Sequence, residues 1–225
     1  STNKGLINKI YQRVRSYTLK QKVKLIAKHS TGKNHLDIGA GTGHFINATT
    51  LTGFNSIGLE PDDDARKLAT DTHKVNIQPL ENLYTLQNKS IDVITMWHVL
   101  EHVYDLQKDL VQIEKILKDD GVMLVAVPNM NSFDAKHYKA YWAAYDLPIH
   151  LYHFTPNDIT RLFDNVNMEV VEILPMKFDS YYVSMLSEKY KGGNILSAFM
   201  TGFKSNMMAN ATEYSSQTYI LRKKQ

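Results

Sequence analysis

Residues 36–45 have the sequence LDIGAGTGHF, in which a short apolar run leads into three closely spaced glycines. Residues 35–38 predict a buried strand, and the apolar positions from residue 45 onward predict a helix. Glycines between a strand and a helix let a ligand approach the backbone, and the helix start presents unpaired N–H donors. This stretch therefore predicts an α/β fold with a nucleotide-type binding turn.

The spacing of these glycines and the position of the next acidic residue restrict the class of ligand. If Gly39 and Gly41 began a G-x-G-x-x-G dinucleotide motif, its third glycine would fall on His44, so a nucleotide-linked oxidoreductase is disfavoured. Glu60 ends the next predicted strand about 20 residues after the turn, where a carboxylate can accept both ribose hydroxyls. The alternative is a surface acid that caps the helix after Pro61.

Strand and helix patterns alternate along the rest of the chain. Residues 74–77 predict an edge strand, 91–96 a central strand, 106–117 an amphipathic helix and 122–127 a strand buried on both faces. Thr155-Pro156-Asn157-Asp158 predicts the start of a further helix, and residues 168–174 and 217–221 predict the last two strands. Residues 175–216 are too long for a turn and indicate an insertion. The leading segment has a helical stripe formed by Leu6, Ile7, Ile10, Tyr11, Val14, Tyr17, Leu19, Val23 and Ile26, expected to pack on the core or cover a site.

Composition limits the classes of protein. The chain has 225 residues, 43% hydrophobic and 22% charged, and no run of about 18 apolar residues that would span a bilayer. The absence of cysteine excludes disulfides, a catalytic thiol and thiolate zinc sites, and is consistent with a cytoplasmic location. A net charge of +3 gives no reason to expect nucleic acid as a partner. The first residues, Ser-Thr-Asn-Lys, indicate a trimmed boundary rather than a secretion signal.

Several of these segments together resemble a known family. LDIGAGTGHF, the acid in IGLEP, and SIDVITMWHVLEHV followed by GVMLVAVPN are similar to the motifs of class I S-adenosylmethionine-dependent methyltransferases over roughly residues 33–174. The nearest branch is that of the ubiquinone-biosynthesis O-methyltransferases and related bacterial proteins. The resemblance implies a Rossmann-like α/β fold with a seven-stranded, mostly parallel sheet, one antiparallel strand and helices on both faces. It favours a single domain over residues 1–225, with a helical leader (1–30), a cofactor-binding core (33–174) and acceptor-side insertions (130–155 and 176–212).

The resemblance also implies a set of residues that bind S-adenosylmethionine and release S-adenosylhomocysteine. The methionine part would be surrounded by Asp37, Gly39, Ala40, Gly41 and Gly43. Glu60 would hold the ribose, and Leu80 and Glu81 would lie near adenine. Trp97 and His98 would border the sulfonium. The chain departs from the family at Pro79, where an adenine-binding Asp is common, so backbone and apolar contacts are expected to hold adenine.

A histidine-rich segment follows the fourth predicted strand. If residues 97–103 form a helix, then His98, Glu101 and His102 lie on one side of it. They resemble the E-x-x-E-H metal-binding segment of some quinone and RNA-end O-methyltransferases, with His98 in place of the first Glu. Because Mg²⁺ prefers oxygen ligands, we expect no metal, or else a softer divalent ion. The alternative is that Glu101 and His102 hydrogen-bond within the active-site wall, where His102 could contact the acceptor.

An aromatic segment at residues 141–154 follows the fifth predicted strand, where this family commonly binds the acceptor. Trp142, Tyr145 and Tyr152 are candidates for the wall of the pocket, and His150 or His153 for a general base. A structural role as an aromatic plug is equally consistent with the sequence. The apolar residues of the 176–212 insertion could be core, a lid for an apolar acceptor, or the contact of a homodimer, so the chain is expected to be a monomer or homodimer.

These observations predict methyl transfer from S-adenosylmethionine to a small or lipid-like acceptor, with oxygen as the expected atom. The alternatives are a methyltransferase-like cofactor-binding protein without turnover and, less favoured, an oxidoreductase.

Overall fold

A seven-stranded sheet is present in the computed structural model, which describes residues 2–210 and 212–225, with side chains from residue 13 onward. The strands are β1 (Asn34–Ile38), β2 (Asn55–Leu59), β3 (Ile77–Gln78), β4 (Ile91–Trp97), β5 (Leu117–Pro128), β6 (Met168–Pro175) and β7 (Ser216–Lys223). Their order is β3-β2-β1-β4-β5-β7-β6. Strand β2 is parallel to both β1 and β3, whereas β7 is antiparallel to both β5 and β6. The predicted sheet, with its single reversed strand, is confirmed.

Helices join these strands. They are α1 (Thr2–His29), α2 (His44–Leu51), α3 (Asp63–His73), α4 (Leu106–Ile116), α5 (Phe133–Tyr138), α6 (Pro156–Asp164), α7 (Asp179–Lys191) and α8 (Ile195–Met208). Thr155 caps α6 through the predicted capping box, in which Asp158 N–H donates to Thr155 Oγ1 and Thr155 N–H donates to Asp158 Oδ2. No helix of the described residues is both long and apolar enough to cross a membrane.

The central strands form the core. Every residue of 122–127 has an exposed fraction of 0%, as do Val93 and Ile94 on β4. A near-continuous apolar run is what a strand buried on both faces requires. The chain divides into two compact units, Ser1–Ile94 with Leu117–Val122, and Thr95–Ile116 with Met123–Gln225. The single domain of the sequence analysis stays a prediction.

Three local expectations need revision or completion. The edge strand predicted at residues 74–77 is wrong in extent, because Lys74 has a left-handed φ of 57° and caps α3, so β3 begins only at Ile77. The insertion after β6 forms the two helices α7 and α8. In the leader, Val23 and Ile26 are buried and α1 contacts α2, while Val14 and Tyr17 are exposed. The side chains of Leu6, Ile7, Ile10 and Tyr11 lie outside the described residues.

Candidate functional site: a glycine cradle and a histidine-aromatic segment

The glycine turn joins β1 to α2 in a conformation that favours glycine. Gly39, Gly41 and Gly43 have φ values of 74°, 52° and 76°. A Cβ at Gly43 would lie 2.8 Å from Cβ of Ala69, so packing also requires glycine there. A Cβ at Gly41 would instead project into open space, with no atom within 4 Å. The turn therefore leaves room beside its backbone at Gly41, which is what a bound ligand needs.

Glu60 lies next to this turn, as its predicted role requires. Its Oε2 accepts a hydrogen bond of 2.8 Å from the N–H of Gly41, and its Oε1 accepts one of 3.0 Å from the N–H of Asp62. The side chain is largely buried, with a residue exposure of 9%. Asp62 is the N-cap of α3 and accepts from Ala65 N–H, so the alternative role of Glu60 as the cap of that helix is taken by Asp62.

The other residues implied for the cofactor lie in several places. Asp37 and Ala40 are buried at the end of β1 and in the turn. Leu80 and Glu81 begin a 3₁₀ helix, Leu80–Thr85, directly after β3. Trp97 is the last residue of β4, and His98 follows it. Their contacts with the cofactor stay predictions.

His98 lies between two carboxylates. Its Nε2 is 3.0 Å from Asp179 Oδ2 at the start of α7, and its Nδ1 is 3.5 Å from Glu101 Oε1. Burial lowers the pKa of His98, but the hydrogen bonds and negative charges of Asp179 and Glu101 raise it to about 9 overall. The imidazole is therefore a cation at neutral pH that ties α7 to the segment after β4.

Residues 97–103 do not form the helix that would place His98, Glu101 and His102 on one side. His98 has a left-handed φ of 57°, so only Leu100–His102 forms a single 3₁₀ turn. A different set of possible metal ligands results: Glu101, His102 and His150 each offer one ligand atom, all within 4.8 Å of one another. Glu101 has a residue exposure of 1%, and its Oε1 faces His98 Nδ1 at 3.5 Å.

The hydrogen bonds of the two histidines decide which of their nitrogens could bind a metal. His102 Nδ1 lies 3.2 Å from the carbonyl of Ile149, and His150 Nδ1 lies 2.8 Å from that of Ala144. A carbonyl only accepts, so the proton sits on Nδ1 of each neutral ring and Nε2 keeps a lone pair. Two imidazoles and one carboxylate suit a softer divalent ion and not Mg²⁺. The set can hold such an ion, and the predicted independence from metal stays untested.

The aromatic segment is partly a structural element. Trp142 has a residue exposure of 2%, and its indole N–H donates a 2.8 Å hydrogen bond to Asp134 Oδ2. It belongs to a buried cluster with Ala135, Tyr138 and Val183. These contacts favour the structural alternative for Trp142. Tyr145, half-buried with its ring edge-on to Trp142, and half-buried Tyr152 remain candidates for contact with an acceptor.

His153 is held in the same manner as His150. Its Nε2 lies 2.9 Å from the carbonyl of Tyr145, so a neutral His153 keeps a lone pair on Nδ1. Both rings thus have one nitrogen fixed by backbone and one able to take a proton. They line a narrow depression, whose wall is formed by Pro128, Met130, Trp142, Ala144, His150, Tyr152, His153 and Phe154. The structure brings together Trp142, Tyr152, His150 and His153 here, and the ring of Tyr145 lies edge-on to that of His153. Their roles towards an acceptor stay predictions.

Two acidic residues that fix parts of the candidate site were not predicted from the sequence. Asp134 is fully buried and accepts from Trp142 Nε1, Ser205 Oγ and Ser215 Oγ, so it fixes the aromatic segment to α8 and to the start of β7. Asp179 pairs with His98. The only sequence feature that marks Asp134 is its place in the first turn of α5, after the N-cap Ser132. No local pattern marks Asp179, because its partner lies in a distant segment.

Comparison with known proteins agrees with this geometry. A family model described as a methyltransferase domain matches residues 11–173. The chain belongs to the methyltransferase-domain family. The predicted family, its cofactor class of S-adenosylmethionine and its Rossmann-like fold are confirmed.

The relatives are distant. The ubiquinone biosynthesis O-methyltransferase of Rickettsia bellii is 27% identical over 154 residues, which cover 61% of this chain and 62% of that protein. The ubiquinone biosynthesis O-methyltransferase of Idiomarina loihiensis is 26% identical over 171 residues, 70% of each chain. The chain thus spans less than two thirds of the Rickettsia relative. A S-adenosylmethionine-dependent methyltransferase from Archaeoglobus fulgidus has the same fold, with a TM-score of 0.66, 18% identity and coverage of 93% and 94% of the two chains.

Proposed function

We propose that the chain transfers a methyl group from S-adenosylmethionine to an oxygen of a small or lipid-like acceptor. The observation that carries this proposal is the open space at the Cβ position of Gly41, beside the Glu60 carboxylate that bonds the same turn. Gly39, Gly41 and Gly43 would hold the methionine part, and Glu60 would accept the ribose hydroxyls. His44 at the position of the third dinucleotide glycine disfavours an oxidoreductase.

When bound, the cofactor supplies an electrophilic methyl group on a positively charged sulfur. Transfer of this methyl group would be an in-line displacement with the sulfur as the leaving group, so residues of this chain must hold the acceptor oxygen opposite the sulfur. The protein must mainly orient the acceptor, and orientation can contribute about 7–11 kcal/mol. A hydroxyl acceptor also releases a proton. The lone pair on His153 Nδ1 or on His150 Nε2 can take it, because the other nitrogen of each ring is fixed on a carbonyl.

The acceptor class rests on two features. The two relatives are named for O-methylation in ubiquinone biosynthesis, and residues 141–154 offer aromatic surface with proton-accepting histidines. The depression at these residues is narrow, so a bulky acceptor would have to move one of the side chains of its wall. A phenol or catechol, with or without an apolar chain, has the flat shape and the acidic hydroxyl that such a wall suits.

Gly41→Val tests the cradle. A branched side chain would fill the open space, and we expect calorimetry to detect no S-adenosylmethionine binding to a protein that is still folded by circular dichroism. Gly53→Val is the matched control: Gly53 also has a positive φ, of 87°, and open space at its Cβ, but lies beyond the other end of α2. This variant also places valine at a positive φ and should leave affinity unchanged. Equal affinity of both variants and the wild type would refute the cradle.

Turnover is tested with the wild type and labelled S-adenosylmethionine. Phenols and catechols, with and without a prenyl chain, are offered as acceptors, and the methylated product is identified by mass spectrometry. Product with an O-methyl group supports the proposal. Cofactor binding without product from any acceptor class, amines included, would favour the alternative of a binding protein without turnover.

A further inference from the structure

Helices α7 and α8 turn their small and polar side chains inward. The buried residues of α8 are Ala198, Thr201, Gly202 and Ser205. Those of α7 are Ser180, Val183, Ser184, Ser187 and Glu188. The two helices pack closely through this face: Ser180 Oγ donates to the carbonyl of Gly202 at 3.1 Å, and a Cβ at Gly202 would lie 2.9 Å from Cα of Tyr181.

The large apolar side chains of the same helices face outward. On α8 the exposed fractions are 76% for Ile195, 67% for Leu196, 61% for Phe199, 52% for Met200, 49% for Phe203 and 69% for Met207. At 100° per residue these six lie within an arc of about 140°. Helix α7 adds exposed Tyr182 and Met185. A surface helix of a globular protein has the opposite arrangement, so this outer face, here called the α7–α8 face, indicates a partner.

Within residues 176–210, which form the α7–α8 face, every exposed charged residue is a lysine. Lys177, Lys189, Lys191 and Lys204 are exposed. The two acidic residues of α7 both have partners in the protein. Asp179 pairs with His98, and Glu188 is buried and accepts a hydrogen bond from the hydroxyl of Tyr138. Lys189 and Lys191 end α7 immediately before the exposed start of α8, and Lys204 borders the apolar arc. An apolar face with a cationic border complements an anionic surface that has an apolar interior.

We propose that the α7–α8 face docks on the surface of an anionic lipid bilayer. The Phe, Leu, Ile and Met side chains would enter the boundary between headgroups and acyl chains, and the lysines would extend to the lipid phosphates. Neither helix qualifies as a span, so the helices would lie in the plane of the interface. A second copy of this chain is a poorer occupant, because a self-complementary contact of this face would place lysines beside lysines. The proposal does not depend on the acceptor.

Flotation with vesicles tests this docking. The wild type is mixed with vesicles of phosphatidylcholine alone or with an equal share of phosphatidylglycerol. We expect binding to the anionic vesicles at least tenfold stronger than to neutral ones, and weaker binding at high salt. Phe199→Asp with Phe203→Asp should reduce it at least tenfold, and Lys189→Glu with Lys191→Glu should remove the preference for anionic lipid. Leu68→Asp, at an exposed apolar position of α3, is the control and should bind as the wild type does.

All variants change exposed side chains, so unchanged S-adenosylmethionine affinity serves as the check that each is folded. Failure of the wild type to float with anionic vesicles would overturn the proposal, as would equal flotation of the Phe199, Phe203 variant. Analytical sedimentation of the lipid-free proteins tests whether a second copy of this chain binds the α7–α8 face instead. A wild-type dimer that the Phe199, Phe203 substitutions dissociate, with no vesicle binding, would assign the α7–α8 face to self-association.

Discussion

Glu60 bonds the backbone of the glycine turn, at which we propose that S-adenosylmethionine binds. Its carboxylate already accepts the N–H of Gly41, so the acid and the open position at Gly41 are held in register by a single hydrogen bond. The same carboxylate is oriented by Asp62 N–H. A residue fixed from two sides loses little freedom on binding, which favours a strong contact with ribose.

We therefore expect Glu60→Ala to weaken S-adenosylmethionine binding roughly ten- to hundredfold, because hydrogen bonds to a charged group contribute about 1.5–3 kcal/mol. Glu60→Asp keeps the charge and should weaken binding less. Calorimetry on the three proteins checks the order. Equal affinities would mean that Glu60 only supports the turn.

His35 gives a pH dependence of stability. It is fully buried on β1, with its ring edge-on to Phe45 and Phe54, and burial lowers its pKa from 6.5 to about 3. Below pH 6.5 the unfolded chain binds a proton at His35 that the folded chain does not. The free energy of unfolding should therefore fall as pH decreases from 6.5 towards 3, by at most about 1.4 kcal/mol per pH unit from this residue.

Urea unfolding at several pH values between about 7 and 5 measures this slope. His35→Gln cannot titrate in this range, so its free energy of unfolding should depend less on pH than that of the wild type, whatever its absolute stability. Parallel curves for the two proteins would show that another group causes the slope.

At the scale of elements, buried polar contacts fix the aromatic segment. Asp134 on α5 accepts from Trp142, from Ser205 on α8 and from Ser215 before β7. Asp134→Asn replaces one acceptor oxygen by an N–H₂ donor that faces other donors. We expect it to lower the free energy of unfolding by about 2–4 kcal/mol.

Asp146→Asn is the matched control for this substitution, since Asp146 is exposed within the same segment and asparagine tolerates its left-handed φ of 38°. Its stability should change little. Denaturant unfolding compares the two variants with the wild type. Equal stability of Asp134→Asn and the wild type would mean that Trp142 and the serines find other partners.

The features that could be predicted from the sequence are those formed by residues close together in the chain. The strand, glycine turn and helix of residues 36–45, and the capping box of α6, involve residues within a few positions of each other, so their patterns are visible in the chain. The contacts of Asp134 join residues 8, 71 and 81 positions apart, and no periodicity reports them. The left-handed φ of His98 likewise interrupts the helical spacing of His98, Glu101 and His102, and the approach of His150 to Glu101 and His102 spans nearly 50 residues, so neither is visible in the sequence.

At the scale of the whole molecule, the two predicted tasks fall in different units. The glycine turn and Glu60 belong to the unit Ser1–Ile94 with Leu117–Val122, whereas the aromatic segment and the 176–212 insertion belong to Thr95–Ile116 with Met123–Gln225. Substitutions in the aromatic segment or in the 176–212 insertion should therefore alter methyl transfer while leaving cofactor affinity unchanged. The cytoplasmic location and the oligomeric state stay predictions.

The histidines of the second unit test this separation. If His153 takes the acceptor proton, His153→Ala should lower kcat by roughly 10²–10⁴-fold with little change in KM, because the acceptor still binds. His137→Ala, an exposed histidine on α5, is the control and should keep full turnover. Calorimetry on each variant should give the affinity of the wild type for S-adenosylmethionine. Loss of cofactor affinity and stability together would instead identify the segment as a structural plug.

His150 requires an additional experiment, because it could act as a base or as a metal ligand. We expect wild-type turnover to survive EDTA, since two imidazoles and one carboxylate ligate Mg²⁺ poorly, and His150→Ala then to reduce kcat equally with and without EDTA. A requirement for a metal would give a different result. Turnover lost in EDTA and restored by Zn²⁺ or Mn²⁺ in the wild type, but not in Glu101→Gln or His150→Ala, would show that Glu101, His102 and His150 bind a metal that methyl transfer requires.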